Sequence, residues 1–269
     1  RKSTGSRMKT APLFRFRGIQ ALALILVSAV SFLGFFWPFL SDANQSHRFF
    51  WISTAISFIL LLTIIGQAKF DAKSLALLAV LSAIIAALRP LGAGAAGIEP
   101  MWFLLILSSY VFGSSFGYLL GAISMLLSAF LTGGLGPWLP YQVFAAALVG
   151  AMAGALPKFK SNLKYAKRLE IALLVGASIL LAEIFGILMD LQFWPFAFGP
   201  KTQLSYQPGA AIMTNLHHFF IYHLSSSMAW NVPRGIFTAA LIAIVGPGVL
   251  SALRRSARKA SFESEIRFT

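Results

Sequence analysis

Two residues of opposite charge, Arg89 and Glu99, lie within a glycine- and alanine-rich stretch, RPLGAGAAGIEPMWF (89–103), that separates two apolar runs. A guanidinium presents a planar fork of donors to a carboxylate or phosphate. Arg89 is therefore either a helix-end cation paired with Glu99 or a contact for an anionic solute group. Three similar breaks collect aromatic and amide groups: GGLGPWLPYQ holds Trp138, Tyr141 and Gln142, LQFWPFAFGPKTQLSYQPG holds Trp194, and AWNVPRG holds Trp230, Asn231 and Arg234. Aromatic walls with a few placed polar groups are what a small-molecule pocket needs. Each aromatic taken alone is equally an anchor at the membrane interface.

Glu183 and Asp190 are seven residues apart in one apolar run, hence on one helix face. Carboxylates in hydrocarbon are costly unless paired or turned to a cavity, so both are inward-facing candidates. His217, His218 and His223 lie on a polar stretch, 209–229, with Asn215 and three serines from Ser225 to Ser227. They have no cysteine or carboxylate at metal-ligand spacing nearby, so no metal site is expected. The sequence has no G-x-x-x-x-G-K-[ST] phosphate loop, which leaves any ATP coupling to partner subunits. No catalytic pattern emerges, and no cofactor is expected.

The elements that hold these groups follow from composition. Hydrophobic residues make up 58% of the chain and charged residues 11%, with a mean hydropathy of +0.77, values that exclude an ordinary soluble domain. Apolar runs fall at 18–40, 49–68, 73–88, 101–113, 116–132, 139–156, 169–191 and 235–253, which predicts an all-α membrane protein of about eight spans. The 209–229 stretch is too polar to face lipid and reads as an external helix or a re-entrant cap. With the amino terminus in the cytoplasm, 18 of the 22 basic residues fall inside and only Arg48, Arg89, Lys201 and Arg234 outside. That arrangement explains the +14 net charge through anionic lipid heads, without nucleic acid. Zero cysteines exclude disulfides and thiolate chemistry.

Small residues recur every three or four positions on two spans. Ala79, Ala83 and Ala87 line one face of the third, and Ala147, Ala151 and Gly154, with Gly150 alongside, line the sixth. Such stripes let helices approach closely, either within the chain or against another subunit.

The stretch DAKSLALLAVLSAIIAALRPLGAGAAGIE (71–99), followed by GGLGPWLPYQVFAAALVGAMAGALP (133–157) and FWPFAFG (193–199), resembles the substrate-specific S components of energy-coupling factor (ECF) transporters, the actinobacterial type in particular. The resemblance covers about 71–255. It implies a six-helix core that binds a vitamin or related micronutrient from outside. It also implies a membrane scaffold subunit and two cytoplasmic ATPases as partners, and a bacterial cell-membrane location with both termini cytoplasmic. Ala79, Ala83 and Ala87 would be the scaffold-docking face. The 89–102 loop would be a gate over a site holding Arg89, Glu99, Trp138, Tyr141, Gln142, Trp194, Trp230, Asn231 and Arg234. The expected organisation is a basic tail (1–17), two extra spans (18–68), the core (69–255) with an outer polar segment (200–233), and a second tail (256–269). Two other readings remain open. One is a membrane enzyme acting on a lipid or isoprenoid through Glu183, Asp190 and the histidines, and the other is a stand-alone secondary transporter. The latter predicts internal repeats, which the sequence does not display.

Overall fold

The computed structural model describes residues 18–40, 72–92, 97–136, 138–158, 165–199 and 202–266, and the single positions 52, 55 and 59. The expected basic tail 1–17 lies outside the described residues, as does most of the 49–68 span. Among the described residues the ordered elements are helices: α1 (Ile19–Phe35), α2 (Trp37–Leu40), α3 (Ala72–Leu88), α4 (Met101–Phe112), α5 (Ser114–Thr132), α6 (Leu139–Ala155), α7 (Ala166–Ala197), α8 (Ile212–Tyr222), α9 (Met228–Ile244) and α10 (Gly246–Ile266). A 3-10 turn, Arg89–Gly92, ends α3, and a π-helical turn, His223–Ser227, joins α8 to α9.

Three of these are by themselves long and apolar enough to cross a bilayer: Ala72–Gly92, Ser114–Thr132 and Ala166–Ala197. Shorter apolar helices at Ile25–Phe35, Met101–Phe112 and Leu139–Ala155 complete the bundle. The chain is a multi-pass, all-helical membrane protein. One expected span is corrected. The run 235–253 is not a single helix, because the rod Ile212–Ile244 bends by 70° into Gly246–Lys259. The break falls at the Val245 turn, just before α10 opens with Gly246-Pro247-Gly248, where proline removes a backbone donor. The polar stretch 209–229 continues into α9 and buries Asn215, Tyr222, His223 and Ser227 against the bundle.

Helix α4 has 12 residues, about 18 Å at 1.5 Å per residue, too short to span hydrocarbon alone. It is buried along nearly its whole surface and touches α3, α5, α6, α7, α9 and α10, so it forms the centre of the bundle. The tight link expected from VFGSSFG reduces to Gly113, whose φ of 97° is open to glycine without strain.

Helices α5 and α6 form the most extensive pair, and glycine is the reason. A Cβ on Gly117 would lie 2.2 Å from the Gly150 carbonyl oxygen, and one on Gly150 would lie 2.0 Å from the Gly117 oxygen. Gly121 is equally close to Ala146 and Gly154 to Gly113. The stripe on the sixth expected span is thus internal packing, which brings two backbones into van der Waals contact. The other stripe behaves differently. Ala79, Ala83 and Ala87 are exposed, together with Ala76, Val80 and Ile84, and α3 buries its opposite face through Leu78, Leu81, Ser82 and Ile85.

The amino-terminal helix packs on α6 and α7 and carries an aromatic segment to their far ends. Phe35 meets Tyr141 at 5.3 Å, Trp37 meets Phe196 and Tyr206 at 6.0 and 5.9 Å, and Phe39 meets Trp194 and Phe219 at 6.0 and 6.3 Å. Stacked, tilted and edge-on ring pairs of this kind add stability beyond the area they bury.

Candidate functional site

Helix α3 ends just before Arg89-Pro90; residues 93–96 of the expected gate lie outside the described residues, and Gly97–Pro100 lead into α4. Two glycines fix the gate's described ends, and the first is Gly92, where a Cβ would fall on the Ile98 carbonyl oxygen. Gly97 has φ 75°, and a Cβ there would sit 2.4 Å from the Trp230 carbonyl oxygen, so the loop lies directly on the backbone of α9. This seats Glu99 between two guanidiniums. Its carboxylate is 3.8 Å from Arg89 Nε and 3.7 Å from Arg234 Nε, and it accepts a 2.7 Å bond from Trp102 Nε1.

Each guanidinium is also held from behind. Arg89 donates to Gln142 Oε1 at 3.2 Å and, at 3.5 Å, to Ser128 Oγ. Arg234 donates to Asn231 Oδ1 at 2.9 Å and stands 5.2 Å over the Phe185 ring, which packs on Trp102 at 4.3 Å. Asn231 fits because α7 offers Gly186 opposite, where a Cβ would fall 2.1 Å from the amide nitrogen. Two buried donors here, Arg234 Nε and Asn231 Nδ2, have no hydrogen-bond acceptor. At 3.7 Å the Glu99 oxygen is an ion-pair partner but beyond hydrogen-bond length. Orphaned donors next to a cation are expensive, and a ligand oxygen would satisfy them.

A second polar group continues the first. His223 bonds through Nδ1 to Asp190 Oδ2 at 2.6 Å and through Nε2 to Glu183 Oε1 at 2.5 Å. Both contacts require two protons shared among the three groups, either an imidazolium between two carboxylates or a neutral ring with one carboxylic acid. In either form the trio carries one negative charge. Arg234 lies within electrostatic reach of both carboxylates, so the two groups offset each other's charge inside the bundle. The shared face of Glu183 and Asp190 was legible from their spacing. Their partner was not, since the π turn brings His223 to them from another helix.

The expected site residues divide. Arg89, Glu99, Gln142, Asn231 and Arg234 come together, with Trp102, Ser128 and Phe185 added by the fold. Tyr141 is buried against Phe35 and hydrogen-bonded to Trp37, in the aromatic segment of α1 and α2. Trp194 is fully buried elsewhere; it donates to the Leu204 carbonyl at 2.6 Å and packs on Phe39, Tyr206 and Phe219. Trp138 and Trp230 are exposed, and Trp230 contributes to the cluster only its backbone, under Gly97. His218 bonds to the Ser205 carbonyl at 2.9 Å, and Asn215 ties down the backbone of Gln207. Both fasten the loop ahead of α8. Among the described residues no group of three metal-ligand side chains has the geometry to hold an ion.

No curated protein and no solved structure matches the chain. A family model, ECF transporter, substrate-specific component, matches residues 73–246, which is more than half of the chain and covers α3 through α9 with every residue of the Arg89–Arg234 cluster. The chain therefore belongs to the family of ECF transporter substrate-specific components.

Proposed function

We propose that this protein captures a vitamin or related micronutrient at the Arg89–Arg234 end of its core and delivers it to an ATP-driven transporter formed with a membrane scaffold and two cytoplasmic ATPases. The observation that carries the reading is the closed charged cluster itself. A glycine-hinged loop lays Glu99 between Arg89 and Arg234, while Arg234 Nε and Asn231 Nδ2 remain without acceptors. A solute bearing carbonyl, carboxylate or phosphate oxygens would complete these donors, and Trp102 and Phe185 supply apolar and aromatic surface nearby. Charge distribution supports the orientation. The cluster's end of the bundle holds few basic residues, and the opposite end, from Lys158 to Arg168 and from Arg254 to Lys259, holds nine; this asymmetry supports an orientation with the cluster outside and both termini inside.

The exposed Ala79, Ala83 and Ala87 face supports docking to the scaffold. Small side chains leave room for a partner helix, and among the described residues nothing covers them. The sequence has no phosphate loop of its own, in keeping with energy supplied by partners. The test is reconstitution in liposomes. The chain alone, given an ion gradient, should bind but not concentrate the solute that co-purifies with it, and uptake should appear with scaffold, ATPases and ATP. Concentrative uptake by the chain alone would overturn the proposal in favour of a secondary transporter.

A further inference from the structure

At the end of the bundle opposite the Glu99 cluster, α7 and α10 enclose an open hollow of about 590 Å³. One side is basic, with Lys167, Arg168, Arg254 and Arg258, and the other is apolar, with Ile171, Ala172, Pro247 and Leu250. The only carboxylate among its lining residues, Glu170, is already engaged. It takes a 2.5 Å ion pair from Arg254 and a 2.7 Å hydrogen bond from Tyr110. Lys167, Arg168 and Arg258 have no carboxylate partner among the described residues, so the hollow carries an uncompensated positive charge.

The start of α7 makes the imbalance sharper. A helix amino terminus is positive, and carboxylates are favoured there. This 32-residue helix begins without a side-chain cap and without an acidic residue in its first turn, and it places Lys167 and Arg168 there instead. Loop charge that merely orients the protein in the membrane would not need to gather at a helix amino terminus or beside an apolar wall. Lys158 reports the same field from outside the spans: partial desolvation first, and then the charge of Arg254, hold its pKa below the usual lysine value. Helix α10 crosses this end after the 70° bend, and its polar face carries Arg255 and Lys259 as well.

We propose that the hollow is a binding site for an anionic phospholipid of the inner leaflet. The headgroup phosphate sits among Lys167, Arg168, Arg258 and the free amides of the α7 amino terminus, and an acyl chain follows Ile171, Ala172 and Leu250 into the bilayer. Cations around a phosphate and an apolar groove beside them suit such a lipid, whereas free phosphate would use only the basic half.

Native mass spectrometry of the full chain decides the matter. The protein is delipidated in detergent and offered an equimolar mixture of dioleoyl phosphatidylglycerol and dioleoyl phosphatidylcholine. Phosphatidylglycerol should be retained over phosphatidylcholine by on the order of tenfold or more, and the triple variant Lys167→Gln, Arg168→Gln, Arg258→Gln should bind the two equally. Arg258→Gln alone, which leaves α7 untouched, should lower the preference in part and covers the case of a triple variant that fails to fold. Equal retention by the unmodified protein, or an undiminished preference in folded variants, would overturn the proposal. Loss of the retained lipid to millimolar inorganic phosphate would also overturn it and assign the site to a free anion. Variants that keep the lipid preference but lose the scaffold subunit would make the hollow a protein-docking surface and overturn it as well.

Discussion

Glu99 of the glycine-rich loop and Arg234 of α9 meet at 3.7 Å, although they come from opposite ends of the core sequence. The contact latches the loop onto the bundle, with Trp102 holding the same carboxylate from below. Glu99→Ala removes the latch and leaves two guanidiniums uncompensated, so the loop should open more often. Stopped-flow tryptophan fluorescence should show solute association and dissociation both faster, on the order of tenfold for a loss of about 1.4 kcal/mol. Glu99→Gln, which retains an acceptor for Trp102, should fall between. Rates indistinguishable from the parent protein would remove Glu99 from any gating role.

The exposed alanine face should matter for assembly and not for the solute. Ala83→Trp puts a bulky ring where a partner helix would press, on a surface that the described residues leave open. Co-purification with the scaffold should fall sharply while solute affinity stays within about twofold, a change below 0.5 kcal/mol. Normal assembly of the variant would show that the partner docks elsewhere.

The glycine seam between α5 and α6 predicts the opposite behaviour. Gly150→Val forces a side chain onto the Gly117 carbonyl, which is backbone and cannot swing aside. Stability should drop by about 3 kcal/mol or more, at the upper end of the cost of overpacking. A thermal midpoint in detergent near that of the parent would mean that the helices are not so close.

His223 holds two carboxylates together inside the bundle. His223→Ala leaves Asp190 and Glu183 facing each other without their shared partner, and loss of one member of a buried charged group costs about 3–5 kcal/mol. Adding Asp190→Asn should recover part of the loss, because one of the two carboxylates is then gone. If the double variant melts lower than His223→Ala, the trio is not an electrostatic unit.

Sequence made the membrane class, the positions of most helices and the charged loop legible, because those depend on local composition. The five cluster residues Arg89, Glu99, Gln142, Asn231 and Arg234 were found from polar groups placed at the ends of apolar runs. What sequence could not separate were the tryptophans. Trp138, Trp194 and Trp230 occur in similar surroundings along the chain, but the fold buries one completely and leaves two exposed, and only packing between distant helices decides which. The two small-residue stripes were equally ambiguous, since the same spacing serves internal and external contacts. The carboxylate pair was recognised, but its histidine lies 33 and 40 residues away and meets it through a π turn that no residue pattern announces. The broken last span escaped because Pro247 and its two flanking glycines sit within an apolar run whose length alone suited a crossing.

The central claim is that the Arg89–Arg234 cluster holds the solute. Its most direct test is isothermal titration of the purified chain with the solute identified by mass spectrometry of the co-purified material, comparing the parent with Arg89→Ala, Arg234→Ala and the distant control Arg255→Ala. A desolvated hydrogen bond to a charged group contributes about 1.5–3 kcal/mol, so each cluster variant should bind about 10- to 150-fold more weakly while the control binds normally. Unchanged affinity in both Arg89→Ala and Arg234→Ala would contradict the account and place the site elsewhere in the bundle.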